Sequence, residues 1–205
     1  WFYQGKNKKE EKKMIKNICI TGGEGFIGRH LIERLPKEYL PYIYDLKPIS
    51  KTDISEKKRN EEFMFPANIY AVIHLAAIHD IRFANEHPQE TFEANVWGTY
   101  NVLNEARKRN ARKFIFISSA AIYEQPLISI YGLSKFLGEK MVENSGLDYS
   151  ILRLFNVYGP RQRKALFGNL IKCIEEGQPW SYTNTGKGIK DFGYIGKSIQ
   201  IFGDW

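Results

Sequence analysis

Tyr131 and Lys135 stand four residues apart in YGLSKFLGEKM, so on a helix they share one face. A free phenol, with a pKa near ~10, is a poor base at neutral pH. A neighbouring ammonium favours the phenolate and brings proton abstraction toward the working range. Ser119, twelve residues upstream, closes an apolar run and offers a hydroxyl to a reacting oxygen. In a chain with 12 tyrosines, a Tyr-x-x-x-Lys pair alone is more often an exposed helix pair. The serine at a strand's end, behind a glycine-rich loop, tips the reading toward proton transfer.

That loop is TGGEGFIG, with Gly22, Gly25 and Gly28 at even spacing after an apolar run. A strand-to-helix turn needs a residue free to take positive φ, a backbone approach to a pyrophosphate, and close packing of the helix on the sheet. The three glycines answer these needs, and the helix N-terminus adds amide donors. Asp45, 23 residues after Gly22, suits hydrogen bonding to adenosine ribose hydroxyls and favours NAD over NADP. Lys47 could instead meet a 2′-phosphate.

The elements that must position these groups alternate along the chain. Apolar runs predict strands at 17–21, 42–45, 71–77, 113–119 and 149–156. Helical spacing predicts helices at 26–35, stopped by Pro36, at 90–110 despite Gly98, and at 131–146, closed by Gly146. Residues 47–62 read as a loop with at most a short helix. The alternation predicts an α/β fold, a doubly wound parallel sheet of Rossmann type, with ligands outside the carboxyl ends of the strands. Every glycine-rich or polar peculiarity above falls at those ends. The expected organisation is a leader or tag at 1–13, a dinucleotide-binding domain at 14–155 and a partial substrate-binding region at 156–205.

Composition narrows the partners. The 205 residues carry a net charge of +7, but residues 6–13 alone hold five lysines and two glutamates. Without interleaved aromatics this reads as a solvated tail, and no nucleic-acid partner is expected. Cys19 and Cys173 lack metal-ligand spacing, so no metal is expected, and both read as buried thiols in a reducing compartment. No apolar run is long enough to span a bilayer and no signal peptide is recognisable, which makes the cytoplasm the simplest address.

Beyond its glycine loop, the chain carries HLAA (74–77), NVWGTYNVL (95–103), KFIFISSAAIY (113–123), YGLSK (131–135), LRLFNVYGPRQ (152–162) and GKGIKDFGYI (186–195), in that order. In these blocks it resembles the extended short-chain dehydrogenase/reductase family, the NAD-dependent sugar epimerases and dehydratases of the UDP-glucose 4-epimerase kind. The resemblance implies Ser119, Tyr131 and Lys135 as catalytic residues. It implies NAD held by Gly22, Gly25, Phe26, Ile27, Gly28, Asp45, Asp53, Ile54, Leu75, Ala76, Ala77, Asn95, Ser118, Tyr131, Lys135 and Phe155. It also implies a nucleotide-sugar substrate, a UDP-hexose foremost, at Ser119, Asn156 and Lys190. Dehydrating members carry an acidic pair just after the hydroxyl residue, and decarboxylating members a glutamate there. This chain has Ala120 and Ala121.

The branch so implied is 4-epimerisation: Tyr131 takes the O4 proton as C4 is oxidised by bound NAD, and the keto sugar turns and is reduced on its other face. A reductase or dehydrogenase of the same fold, or a dinucleotide-binding sensor without catalysis, is the alternative. A homodimer through helices 90–110 and 131–146, with Trp97, Tyr100 and Leu137 at the contact, is a further implication. Three departures stand out: a short segment between Tyr123 and Tyr131, Lys190 where the family has arginine, and an early end. Relatives continue for roughly another hundred residues, so a truncated or interrupted chain is expected.

Overall fold

The computed structural model describes residues 14–45, 64–123, 129–162, 165–180 and 191–200. The expectations for residues 1–13, Lys47, Asp53, Ile54 and Lys190 lie outside the described residues.

Five parallel strands, β1 (Lys16–Thr21), β2 (Tyr39–Tyr44), β3 (Ile69–His74), β4 (Lys113–Ser119) and β5 (Tyr149–Leu154), form one sheet in the order β2-β1-β3-β4-β5. The expected parallel sheet is thus present. Strand order reverses between β1 and β3, which opens a crevice at their carboxyl ends. Alternate residues along the strands face opposite sides. Cys19, Val72, Phe114 and Phe116 pack with Val102, Leu103, Ala106 and Val142 on one face. Ile18, Ile20, Ile73, Ile115 and Ile117 pack with Leu31, Ile195 and Ile199 on the other. Both faces are apolar because helices cover both, which is why the strands read as continuous apolar runs. Burial also pushes the Cys19 thiol up to about 12, while Cys173, on a later helix, is partly exposed.

The first helix, α1 (Phe26–Ile32), ends before the predicted residue 35. Arg34 and Leu35 instead donate to the carbonyls of Leu31 and Ile32, tightening the last turn ahead of Pro36. Strand β2 starts earlier than predicted and contains Pro41. Among the described residues β2 has a neighbour on one side only, a position that tolerates a missing N–H.

The predicted helix 90–110 is three pieces: α3 (Pro88–Phe92), a π-helical turn at Glu93–Trp97, and α4 (Gly98–Lys108). A short α2 (Ile81–Glu86), capped by Asp80, precedes them and has no counterpart in the sequence reading. Helix α5 spans Ile130–Glu143, and Gly146 beyond it takes the positive φ expected of a terminating glycine. Strand β6 (Asn156–Tyr158) leaves the main sheet and pairs with β7 (Phe192–Tyr194). Helices α6 (Ala165–Glu175) and α7 (Ile195–Gln200) complete the described elements.

His74 ends β3 in full burial between two threonines, with Thr21 Oγ1 2.6 Å from Nδ1 and Thr99 Oγ1 2.9 Å from Nε2. Thr99 donates its hydroxyl proton to the Asn95 carbonyl at 2.6 Å, so it accepts from Nε2–H. Nδ1 then accepts the Thr21 hydroxyl proton, and Thr21 Oγ1 accepts the Ala76 N–H at 3.3 Å. The neutral tautomer is fixed by these partners. Burial, reinforced by the Lys135 charge, lowers the His74 pKa to about 3.

In the unfolded chain His74 protonates near ~6.5, so between these values the unfolded state binds the extra proton. Stability is therefore lost as pH falls through that window. Urea unfolding at pH 7.5 and 5.0 should show a loss on the order of 2 kcal/mol from this residue. A His74→Asn variant should lose correspondingly less over the same interval; an equal loss would remove His74 as the cause.

Candidate active site

The glycine loop sits hard against the end of β3. Gly22 has φ +71°, and a Cβ there would stand 2.7 Å from the Ala76 nitrogen. A Cβ on Gly28 would stand 2.5 Å from the Gly22 oxygen and 2.6 Å from the Gly23 Cα, so α1 starts in contact with the loop. Gly25 caps α1 without contributing any side-chain hydrogen bond, leaving the first-turn amides of Phe26 and Ile27 without a side-chain cap. Asp45 follows β2, and its Oδ2 accepts the Glu24 N–H at 2.8 Å, which brings the carboxylate to the loop. Leu75, Ala76 and Ala77 leave β3 on the other side of the same crevice, and the Leu75 N–H donates to the Thr21 carbonyl at 3.0 Å. A donor-rich helix start, a nearby carboxylate and small alanines opposite fit a dinucleotide. Gly28→Ala should displace the start of α1 and weaken NAD binding at least tenfold by calorimetric titration; unchanged affinity would show that the loop does not hold the cofactor.

Ser119, Tyr131 and Lys135 meet at the carboxyl edge of the sheet. A 3-10 turn, Ala120–Tyr123, follows Ser119 directly, and Ser119 Oγ accepts the Ala121 N–H at 3.2 Å. The Ser129 hydroxyl caps α5 by accepting from Gly132 N–H at 3.0 Å. Asn85, from α2, accepts the Ile130 N–H at 3.0 Å. A Cβ on Gly132 would lie 2.9 Å from the Ala121 carbonyl, so this glycine lets the Tyr131 turn abut the turn after Ser119. Further along α5, a Cβ on Gly138 would collide with the Phe116 ring at 2.5 Å. The same ring faces Lys135, whose Nζ lies 4.4 Å from its centroid.

Burial raises the Tyr131 phenol, and the Ser119 hydroxyl against it works the other way. Burial lowers the Lys135 ammonium to about 7, and the Glu139 charge one turn on opposes that fall. In the protein alone, burial dominates both groups, the reverse of the primed phenol expected from the spacing. Glu139 is itself buried and receives both Nε and Nη2 of Arg153, at 3.0 and 2.8 Å.

Asn95 lies in the π-helical turn and is buried. Its Oδ1 accepts the Ile78 N–H at 2.8 Å, while Nδ2 donates to the Ile78 carbonyl and to Ser134 Oγ, each at 2.9 Å. Ser134 in turn donates to the Tyr131 carbonyl at 2.8 Å. Ser118 is buried under the edge, beside Glu139. Phe155 is exposed between β5 and β6, and Asn156 opens β6 with its Nδ2 donating to the Asp191 carbonyl at 3.0 Å. Sequence reasoning missed Glu139, Arg153, Ser134 and the two threonines around His74. Glu139 had a signal, its i+4 spacing from Lys135; the others are joined only by the fold.

The model of the NAD dependent epimerase/dehydratase family matches residues 18–202. The chain belongs to that family. The family's cofactor is NAD, and the activity is of the epimerase/dehydratase type. A protein of Methanocaldococcus jannaschii, provisionally named a UDP-glucose 4-epimerase, is 32% identical over 87% of this chain and 70% of its own length. A UDP-N-acetyl-alpha-D-glucosaminuronate decarboxylase of Bacillus cytotoxicus is 29% identical over 91% of this chain and 70% of its own. The solved UDP-glucuronic acid 4-epimerase of Bacillus cereus, in complex with UDP-glucuronic acid and NAD, superposes with a TM-score of 0.74 at 27% identity, covering 90% of this chain and 71% of that one. Among the described residues, no group of three metal-ligating side chains gathers and no helix is long and apolar enough to cross a membrane.

Proposed function

We propose that the chain is a nucleotide-sugar 4-epimerase acting on a UDP-hexose, with Tyr131 as base, Ser119 on the reacting oxygen and Lys135 as charge partner. The observation that carries this reading is the turn after Ser119. Its residues Ala120 and Ala121 are half-buried beside the reacting groups and bring no carboxylate to them. The resemblance puts acid–base carboxylates at this turn in the dehydrating and decarboxylating members, and alanine cannot do that work. Relatives on both branches exist, and the alanine turn favours the epimerase reading.

The residues that fit NAD are Gly22, Gly25, Phe26, Ile27 and Gly28 at the diphosphate, Asp45 at the adenosine ribose, and Leu75, Ala76, Ala77, Asn95, Ser118 and Phe155 along the crevice. Bound NAD supplies reversible two-electron oxidation at the sugar carbon. Ser119 orients the sugar hydroxyl toward the Tyr131 oxygen and stabilises the phenolate that takes its proton. Lys135, when charged, offsets that phenolate and holds the nicotinamide ribose. Asn156, beside Asp191, faces the sugar nucleotide, and Lys190, which lies outside the described residues, is the phosphate cation that the resemblance implies.

Tyr131→Phe removes the base without disturbing the crevice. Turnover should fall on the order of 10²–10⁴-fold, with NAD affinity kept. Interconversion of C4 epimers in a panel of UDP-, GDP- and dTDP-sugars is read by NMR. Full activity in the variant, or net reduction of the sugar with release of oxidised cofactor, would sink the proposal.

A homodimer through α4 and α5 is part of the same reading. Trp97 and Tyr100 pack edge to face at 5.8 Å, yet are 59% and 49% exposed, an apolar patch suited to a second copy. A Tyr100→Glu change should halve the mass measured by light scattering; a wild-type monomer would refute the dimer.

A further inference from the structure

Glu139 and Lys135 lie one turn apart on α5, and both are nearly sealed from water, at 1% and 3% exposure. A buried carboxylate is costly unless paired, and packing alone would favour an apolar residue at this position. Glu139 is paired twice over by the Arg153 fork. The guanidinium is fixed in turn by Nη1 donating to the Tyr123 hydroxyl at 2.9 Å and lies 5.1 Å from the Tyr123 ring centroid. Tyr123 ends the turn that follows Ser119, so the set joins both sides of the candidate site.

The two cations around Glu139 differ in their access to water. The Arg153 side chain, at the outer edge, is 39% exposed, and solvent screens its charge. Lys135, one turn from Glu139 on the same helix, is nearly as deeply buried, and between buried charges attraction is least screened. Arg153 therefore holds Glu139 ionised, while Glu139 acts inward on Lys135. Burial alone would raise the Glu139 carboxyl, but the Arg153 fork outweighs it and lowers it. Among the described residues, the other groups around Lys135 offer no second anion: His74 from β3 is neutral, and burial raises the Tyr131 phenol. Lys140, next to Glu139, is turned to solvent and donates to Glu143.

We propose that Glu139 is a positioning residue for the reaction: its buried carboxylate, oriented by the Arg153 fork, keeps the Lys135 ammonium charged and in place. The proposal rests on the reading of Tyr131 and Lys135 as the reacting pair, but its first test does not need activity. Lysine ¹³Cε resonances are followed against pH without cofactor, with Lys135 assigned by its loss in Lys135→Met. Wild-type Lys135 should titrate near neutrality. Glu139→Gln should move that titration down by about one unit or more. Arg153→Gln should move it down as well, because the buried carboxylate loses the cation that keeps it ionised.

Arg153→Lys, which keeps a cation on Glu139 without the fork, should leave the Lys135 titration nearer wild type than Arg153→Gln, a ranking by charge that a merely structural role would not produce. An unmoved Lys135 in Glu139→Gln, or an upward shift in Arg153→Gln, would overturn the proposal. If Glu139→Gln does not fold, Arg153→Gln and Glu139→Asp decide by the same signs, with Glu139→Asp expected near wild type. In the holoenzyme, Glu139→Gln should move the acid limb of the kcat profile to higher pH, with KM little changed. Tyr131→Phe separates the two readings: it tests the base through turnover and leaves the Lys135 response to Glu139 as it was.

Discussion

Asn95 uses every polar atom of its side chain to bridge the backbone that leaves β3 and the helix that carries Tyr131. The amide is buried, so a lost partner would leave a polar group unsatisfied at a cost of roughly 1–3 kcal/mol. The geometry it sets is correspondingly stiff. The π-helical turn around Asn95 provides the local widening through which this side chain reaches inward, and Thr99, one turn on, ties the same segment to His74. From the glycine loop through Thr21, His74 and Thr99 to Asn95 and Ser134, hydrogen bonds connect the proposed cofactor crevice to the proposed base. The apolar faces hold the sheet together, but this buried polar line fixes how its carboxyl ends face one another.

Three ionisable groups lie inside the same volume with different fates. His74 is kept neutral by burial and saturated by two threonines, so its titration does not enter the chemistry. Lys135 is driven toward neutrality by burial and partly rescued by Glu139. Glu139 stays charged because Arg153 neutralises it from the solvent side. Burial supplies a low-dielectric setting in which a small change of partner has a large effect on charge, as reacting sites require.

Much of this was legible in the sequence where one local rule suffices. The strands β1 and β4 are continuous apolar runs ending in Thr21 and Ser119, and parallel sheets covered on both faces demand such runs. The glycine spacing forecast the contact with β3, because only a missing Cβ allows Gly22 to meet Ala76. Helix 90–110 was read as unbroken because hydrophobic periodicity does not register a single extra residue in a turn, while the partners of Asn95 lie far along the chain at Ile78 and Ser134. The pairing of Glu139 with Arg153 was likewise hidden. Position 139 reads as an ordinary surface glutamate until β5 places arginine beside it. Helix α1 was read too long because its last three residues keep helical spacing while their hydrogen bonds tighten ahead of Pro36.

The two cysteines occupy opposite extremes of reactivity. Cys19 lies in the middle of the interior strand β1, inaccessible and with its thiol held in the protonated form, whereas Cys173 lies on α6, outside the five-stranded sheet, with part of its surface in water. Since it is the thiolate that attacks an alkylating reagent, and only Cys173 has surface in water, the native fold presents a single labelling position without any engineering. A fluorophore or spin label at Cys173 reports on α6 from a fixed chemical address, and its stoichiometry doubles as an assay of whether β1 remains sealed.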